Sequence, residues 1–144
     1  LSIESAIVDA IVAKVAAVPG ITTVAFDEVK ISFDDFQETE LPAVQIWDNG
    51  QIIKHENRRV RVDWAMSLEL IMKSDIAGVV IQKDLFEKRR EIQLTLFARP
   101  NLDIPGVIHM VYVGNISDLH FLKPYYIARL DIIVQYYDEL VGTC

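Results

Sequence analysis

Val60-Arg61-Val62-Asp63-Trp64-Ala65-Met66-Ser67-Leu68-Glu69-Leu70-Ile71-Met72-Lys73 places seven large apolar side chains at every second position. Successive side chains of a strand point to opposite faces, so Val60, Val62, Trp64, Met66, Leu68, Leu70 and Met72 share one face. Arg61, Asp63, Ala65, Ser67, Glu69, Ile71 and Lys73 share the other. An alternation this long predicts a strand with one side on a core and the other largely polar, and the neighbouring segments take their meaning from it.

Immediately upstream, Gln51 to Arg61 holds Lys54, His55, Arg58, Arg59 and Arg61 against Glu56 alone, a basic loop in a chain of net charge −7. Asp48-Asn49-Gly50 reads as a turn, because Asn and Gly accept the positive φ that hairpin turns require. Leu41-Pro42-Ala43-Val44-Gln45-Ile46-Trp47 enters a strand through a proline, which lacks the N–H of a central ladder and suits a first residue or an edge. Between Gly20 and Glu40, Ile21 to Phe26 and Val29 to Phe33 are strand-like. Around them Asp27, Glu28, Asp34, Asp35, Glu38 and Glu40 are opposed only by Lys30. The chain opens with a helix from Ser2 to Val18: Ile3, Ile7, Ala10, Ile11, Val15 and Val18 recur at helical spacing, Ser2 is its N-cap, and Pro19-Gly20 stops it. Val8, Val12 and Ala16 make its second side apolar too, so it requires burial on two sides, one of which a second subunit can supply.

Downstream, Ser74 or Asp75 caps a helix from about Ile76 to Phe97, with Ala77, Ile81, Leu85, Ile92 and Leu96 on one face. Asp84 with Lys88 and Glu87 with Arg90 have the spacing of helix-surface ion pairs. Val107 to Ile116 is a strand. Pro124 opens the last one, in which Tyr126, Ala128, Leu130, Ile132, Val134 and Tyr136 share a face. Short joins favour antiparallel neighbours. The fold class is α+β, a mainly antiparallel β-sheet with two α-helices packed on it, and the length suits a single domain over residues 1–144.

An excess of 21 acidic over 14 basic residues argues against a broad nucleic-acid-gripping face. The single cysteine, Cys144, allows neither an internal disulfide nor a thiolate metal cage and is compatible with a reducing compartment. The longest apolar run, Ile76 to Ile81, is far short of the ~20 residues of a membrane helix, and no signal-like segment opens the chain, so a soluble intracellular protein without a membrane partner is expected.

Catalytic templates fail individually. Of His55, His109 and His120, only the last has a second ligand type nearby, in Asp118-Leu119-His120, whereas metal sites gather three or four ligands. There is no Gly-x-Ser-x-Gly elbow, and the glycines are scattered rather than grouped in a phosphate-binding loop. Glu28-Val29-Lys30 can hold Mg²⁺ beside a hydrolytic water, but such sites need another acid on a preceding strand, and a turn and a helix precede it here. A small metal-dependent hydrolase using Glu28 and Lys30 is therefore the lesser reading, and no cofactor and no enzymatic activity are expected. Tyr125-Tyr126 and Tyr136-Tyr137 have interface chemistry, although one of each pair must face the core.

The apolar first helix, the acidic lead-in to Leu41-Pro42-Ala43-Val44-Gln45-Ile46, the polar loop, the strand ending Leu68-Glu69-Leu70-Ile71, the helix to Phe97 and the closing Leu122-Lys123-Pro124-Tyr125-Tyr126-Ile127-Ala128-Arg129-Leu130-Asp131-Ile132 together resemble the tail terminator, or tail completion, proteins of long-tailed bacteriophages. The similarity spans nearly the whole chain and rests on element order, the Leu-Pro entry and the Pro-Tyr closing strand. It implies a structural role in the virion tail, with the host cytoplasm as the place of assembly. The family forms a homo-hexameric ring at the head-proximal end of the tail, stops polymerisation of the major tail tube protein and presents the joining surface for a head-completion or connector protein. DNA passes through the lumen without specific binding.

Under that resemblance the loop carrying Lys54, His55, Arg58 and Arg59 contacts an adjoining ring. Asp34, Asp35, Glu38 and Glu40 face the lumen, where like charge keeps DNA from sticking. Val8 and Val12 on the first helix, with outward Ile71, Ile127, Ile133 and Tyr137 on otherwise polar strand faces, suit a subunit interface. A head-tail connector, head-completion protein or other minor tail component is the alternative with a similar outline.

Overall fold

The computed structural model describes residues 2–26, 38–73, 79–117 and 125–138. The elements are α1 (Ile3–Ala16), β1 (Thr23–Phe26), a 3-10 turn (Glu38–Glu40), β2 (Ala43–Glu56), β3 (Arg59–Lys73), α2 (Val79–Phe97), β4 (Val107–Ser117) and β5 (Tyr125–Asp138). The strands form one sheet in the order β1-β2-β3-β5-β4, with both helices on one face, the α+β arrangement expected from the sequence.

β3 is the axis of the sheet. It pairs antiparallel with β2 from Arg59↔Glu56 to Ile71↔Ala43, and with β5 from Val60↔Asp138 to Lys73↔Tyr125. Val60, Val62, Trp64, Met66, Leu68 and Leu70 are buried on the helix-bearing face with Leu130, Ile132, Val134 and Tyr136 of β5. Trp64 packs edge-on against both Phe26 and Tyr136, with ring centroids 6.3 and 6.4 Å away. The helices cover this face through Ile7, Ile11 and Val15 of α1 and Leu85, Ile92 and Leu96 of α2.

Local chemistry sets the helix ends. The Ser5 amide donates to the Ser2 Oγ at 3.1 Å, so Ser2 is the N-cap, as its position implied. Lys88 does not use the expected spacing to Asp84. It pairs with Glu91 at 3.1 Å and donates to the Pro19 carbonyl, tying the end of α1 to α2.

β1 pairs with β2 in parallel, from Thr23↔Ala43 to Phe26↔Ile46, where antiparallel neighbours were expected. The sixteen residues between Phe26 and Ala43 are enough for the crossover that parallel pairing requires.

Asp48-Asn49-Gly50 is not the hairpin turn. β2 continues through it to Glu56, and the chain reverses at Asn57-Arg58, with Asn57 at φ 51°. Between Asp48↔Met66 and Gln51↔Trp64 the β2 side has one residue more than β3, which makes the site a β-bulge. Gly50 supplies φ 98°. The Asp48 Oδ1 accepts the Gly50 amide at 2.9 Å and the Trp64 indole N–H at 2.8 Å. Residues suited to a turn are equally suited to a bulge, and the indole across the ladder holds this one in place. An extra residue inverts side-chain parity. Val44 and Ile46 face the core before the bulge, whereas Gln51, Ile53 and His55 take the core-side face after it. The supposed basic loop is therefore a paired β-arm.

The helix-free face is less polar than its alternation implied. Ile71 and Ile127, expected to be outward interface residues, are 1% and 8% exposed. They stand in register with Ala43 and form a small second cluster with Ala25 and Leu41, so the chain's own residues cover them and they leave the set of interface candidates.

Ile11→Ala or Leu85→Ala, at fully buried positions, is expected to lower stability by about 2–5 kcal/mol in denaturant unfolding. At Gly50 a Cβ would meet nothing within 4 Å. Gly50→Ala therefore costs only its left-handed backbone, about 1–2 kcal/mol.

Candidate functional site

The β2–β3 arm carries the basic residues singled out above, and the register shows how they are held. Arg61 is sandwiched between carboxylates, with its Nη1 2.7 Å from Glu56 and its Nε 3.3 Å from Asp63. Lys54 reaches the same Asp63 at 3.3 Å. The Arg59 guanidinium lies over the Tyr137 ring, 4.8 Å from its centroid. The structure thus brings Lys54, Arg59 and Tyr137 to one face of the arm, places His55 on the other, and puts Arg58 at its turn.

Two residues of the arm were missed. Ile52 and Ile53 are 64% and 59% exposed, one on each face. β1 ends opposite Ile46, so among the described residues the outer edge of β2 has no strand neighbour beyond that point. The sequence reads as a loop here, and the pairing of β2 with β3 beyond the end of β1 shows that the two isoleucines flank a free edge.

On the helix-free face lies a cleft of about 460 Å³ whose lining includes Trp47, Ser67, Glu69, Val113, Asp131 and Ile133. Register explains its polar floor, since Ser67 stands opposite Asp131 and Glu69 opposite Arg129. The Asn49 amide donates to Ser67 Oγ at 2.6 Å, Ser67 Oγ donates to Asp131 Oδ1 at 2.7 Å, and Arg129 Nε lies 3.1 Å from that same oxygen. Ile133, half-buried, borders this cleft, and Val113, 56% exposed, stands on its rim. Further apolar exposure lies on α2 and β4, at Phe86, Leu94 and Tyr112. Tyr112 stacks edge-on against Phe97. The Arg89 guanidinium lies over Phe86, and burial lowers its pKa while Tyr112 opposes the shift.

The remaining candidates are scattered. Val8 and Val12 are half-buried against the main core, so one domain already covers much of the second side of α1. Glu38 and Glu40 belong to the 3-10 turn before β2, with Glu40 half-buried. Asp34, Asp35, Glu28, Lys30, Asp118, His120 and Cys144 lie outside the described residues. Among the described residues no three His, Cys, Asp or Glu side chains are grouped to hold a metal ion, and no helix is long and apolar enough to cross a membrane.

Tyr136 connects the arm to the core. Its ring is fully buried, and its hydroxyl accepts the Gln51 amide N–H at 3.2 Å. Burial pushes its pKa well above the ordinary phenol value, and the charges of Glu4, Asp138 and Asp48 push the same way, against the Gln51 hydrogen bond.

No protein-family model matches the chain, and no curated protein matches its sequence. Among solved structures, a chain of the virion of a native gene transfer agent particle has the same fold, with a TM-score of 0.55. The match covers 86% of this chain and 84% of that one at 10% sequence identity, so the likeness is one of backbone architecture.

A phenol whose folded pKa is raised stabilises the fold fully below its unfolded pKa of about 10, and that contribution is lost as pH rises further toward the folded value. Thermal midpoints are expected to fall above about pH 10. Tyr136→Phe should flatten that alkaline limb, and an unchanged limb would exclude Tyr136 as its source.

Proposed function

We propose that the protein is a structural component of a phage-like virion and, within it, the tail terminator: a homo-hexameric ring that caps the head-proximal end of the tail tube, halts tube-protein polymerisation and offers the joining surface for the head. The observation that carries this reading is the fold shared with a chain of a gene transfer agent virion over most of both lengths. The terminator assignment within that class is supported by the Leu41-Pro42 entry to β2 and the Pro124-Tyr125 entry to β5, in the element order that resembles that family. No catalysis and no cofactor belong to this role.

The arm is the contact element in this reading. A paired β-hairpin that projects charge and two exposed isoleucines is stiff enough to hold a neighbour in register. Val8, Val12, Ile133 and Tyr137, each half-buried in the single chain, complete the contact surfaces. The acids Asp34, Asp35, Glu38 and Glu40 line the lumen, where they repel the DNA backbone. The major tube protein and a head-completion or connector protein are the axial partners.

Light scattering and electron microscopy of the protein alone and with tube protein are expected to give six-fold rings at tube ends. Capture of a head-portal component but never of tube protein would shift the role to a connector. Lys54→Glu/Arg58→Glu/Arg59→Glu is expected to abolish ring formation and capping in a chain that still folds, with a thermal midpoint lowered by loss of the Lys54–Asp63 pair and the Arg59–Tyr137 contact. Intact rings and capping in the triple variant would remove the arm from the contact surface.

A further inference from the structure

The arm and the rest of the chain have opposite charge. The paired arm, Gln51 to Trp64, carries Lys54, Arg58, Arg59 and Arg61 against Glu56 and Asp63, a net +2, which leaves −9 on the remainder. When two copies meet, arm repels arm and body repels body, and arm on body is the one attractive arrangement. At its outer edge the arm also displays Ile52 and Ile53 to solvent.

The helix-free cleft has the complementary chemistry. Its walls include two carboxylates, Glu69 and Asp131, against one cation, Arg129, a net −1, beside apolar Trp47, Val113 and Ile133. The arm cannot fill its own cleft. β2 is held in register with β3 from Gln51↔Trp64 to Glu56↔Arg59, so the hairpin cannot fold back across its own sheet. An arm seated on this cleft therefore belongs to another copy.

We infer that the basic β2–β3 arm of one copy seats on the helix-free cleft of a second copy, burying Ile52 or Ile53 against the Val113–Ile133 wall and setting Lys54 and Arg58 near Glu69 and Asp131. This deepens the ring reading, since both place copies of the chain side by side, and it names the arm's partner as the same protein rather than the tube.

The test is disulfide trapping on the full chain with Cys144→Ser removing the native thiol. Chains carrying Ile52→Cys or Ile53→Cys are mixed with chains carrying Val113→Cys and oxidised. All three side chains are more than half exposed, so a cysteine at any of them leaves the core packing in place. The expected product is the mixed arm–cleft dimer in clear excess over either homodimer. Adding Lys54→Glu/Arg58→Glu should lower its yield about tenfold or more. Equal trapping of homodimers, assembly by light scattering with no mixed product, or a chain still monomeric at about 1 mM, the weak end of specific association, would each overturn the proposal. In the double variant Ile53→Cys/Val113→Cys, a ladder extending to six supports docking and ring together. A mixed product that stops at dimers keeps the docking and defeats the hexamer.

Discussion

β3 is hydrogen-bonded along both edges, to β2 and to β5. A slip of one residue would carry Val62, Trp64, Met66, Leu68 and Leu70 from the core to the open face. Each such side chain contributes about 1.5–3 kcal/mol when fully buried, so the register of the central strand is fixed by a large margin. Everything that adapts must do so in the neighbouring strands. β2 does so at Asp48–Gln51, where Gly50 takes φ 98° and the Asp48 carboxylate is held by the Trp64 indole. The bulge is anchored to Trp64, a buried residue of the central strand.

One added residue changes what the far half of β2 can do. Upstream of it, Val44 and Ile46 seal the core. Downstream, the same strand leaves the shelter of β1 and runs on as the edge of the sheet, with an isoleucine on each face and basic residues along its length. Its internal ion pairs, Arg61 to Glu56 and Asp63 and Lys54 to Asp63, offset part of its charge and leave it net positive. On a chain of net charge −7, a localised positive arm acts over roughly a Debye length, about 8 Å at physiological salt, and so favours orientation at contact rather than long-range attraction.

Much of this was legible in the residues. The period-two run of β3, its counterpart in β5 and the helical spacing of Ile7, Ile11 and Val15 identified the sheet, its core face and the first helix, because periodicity reports directly which side is buried. Asp48-Asn49-Gly50 was misread because local composition cannot distinguish a turn from a bulge. The deciding partner, Trp64, lies sixteen residues away in sequence and across the ladder in space. Ile71 and Ile127 were misjudged for a related reason: single-strand alternation marks them outward, and only their alignment with Ala43 shows that they cover one another. The basic cluster was visible as composition, while the face each of its residues takes follows from a parity change that no short window contains, and Ile52 and Ile53 lie beyond the end of β1 opposite Ile46.

Hydrogen exchange of the intact protein, read at concentrations below and above assembly, most directly tests whether the β2–β3 arm is the element through which copies meet. Outward-pointing amides within Gln51–Glu56 should exchange more slowly once copies associate, together with amides around Val113, while the already paired amides of β3 stay unchanged. Assembly that leaves exchange in the arm unaltered, with protection appearing on α2 instead, would contradict the account.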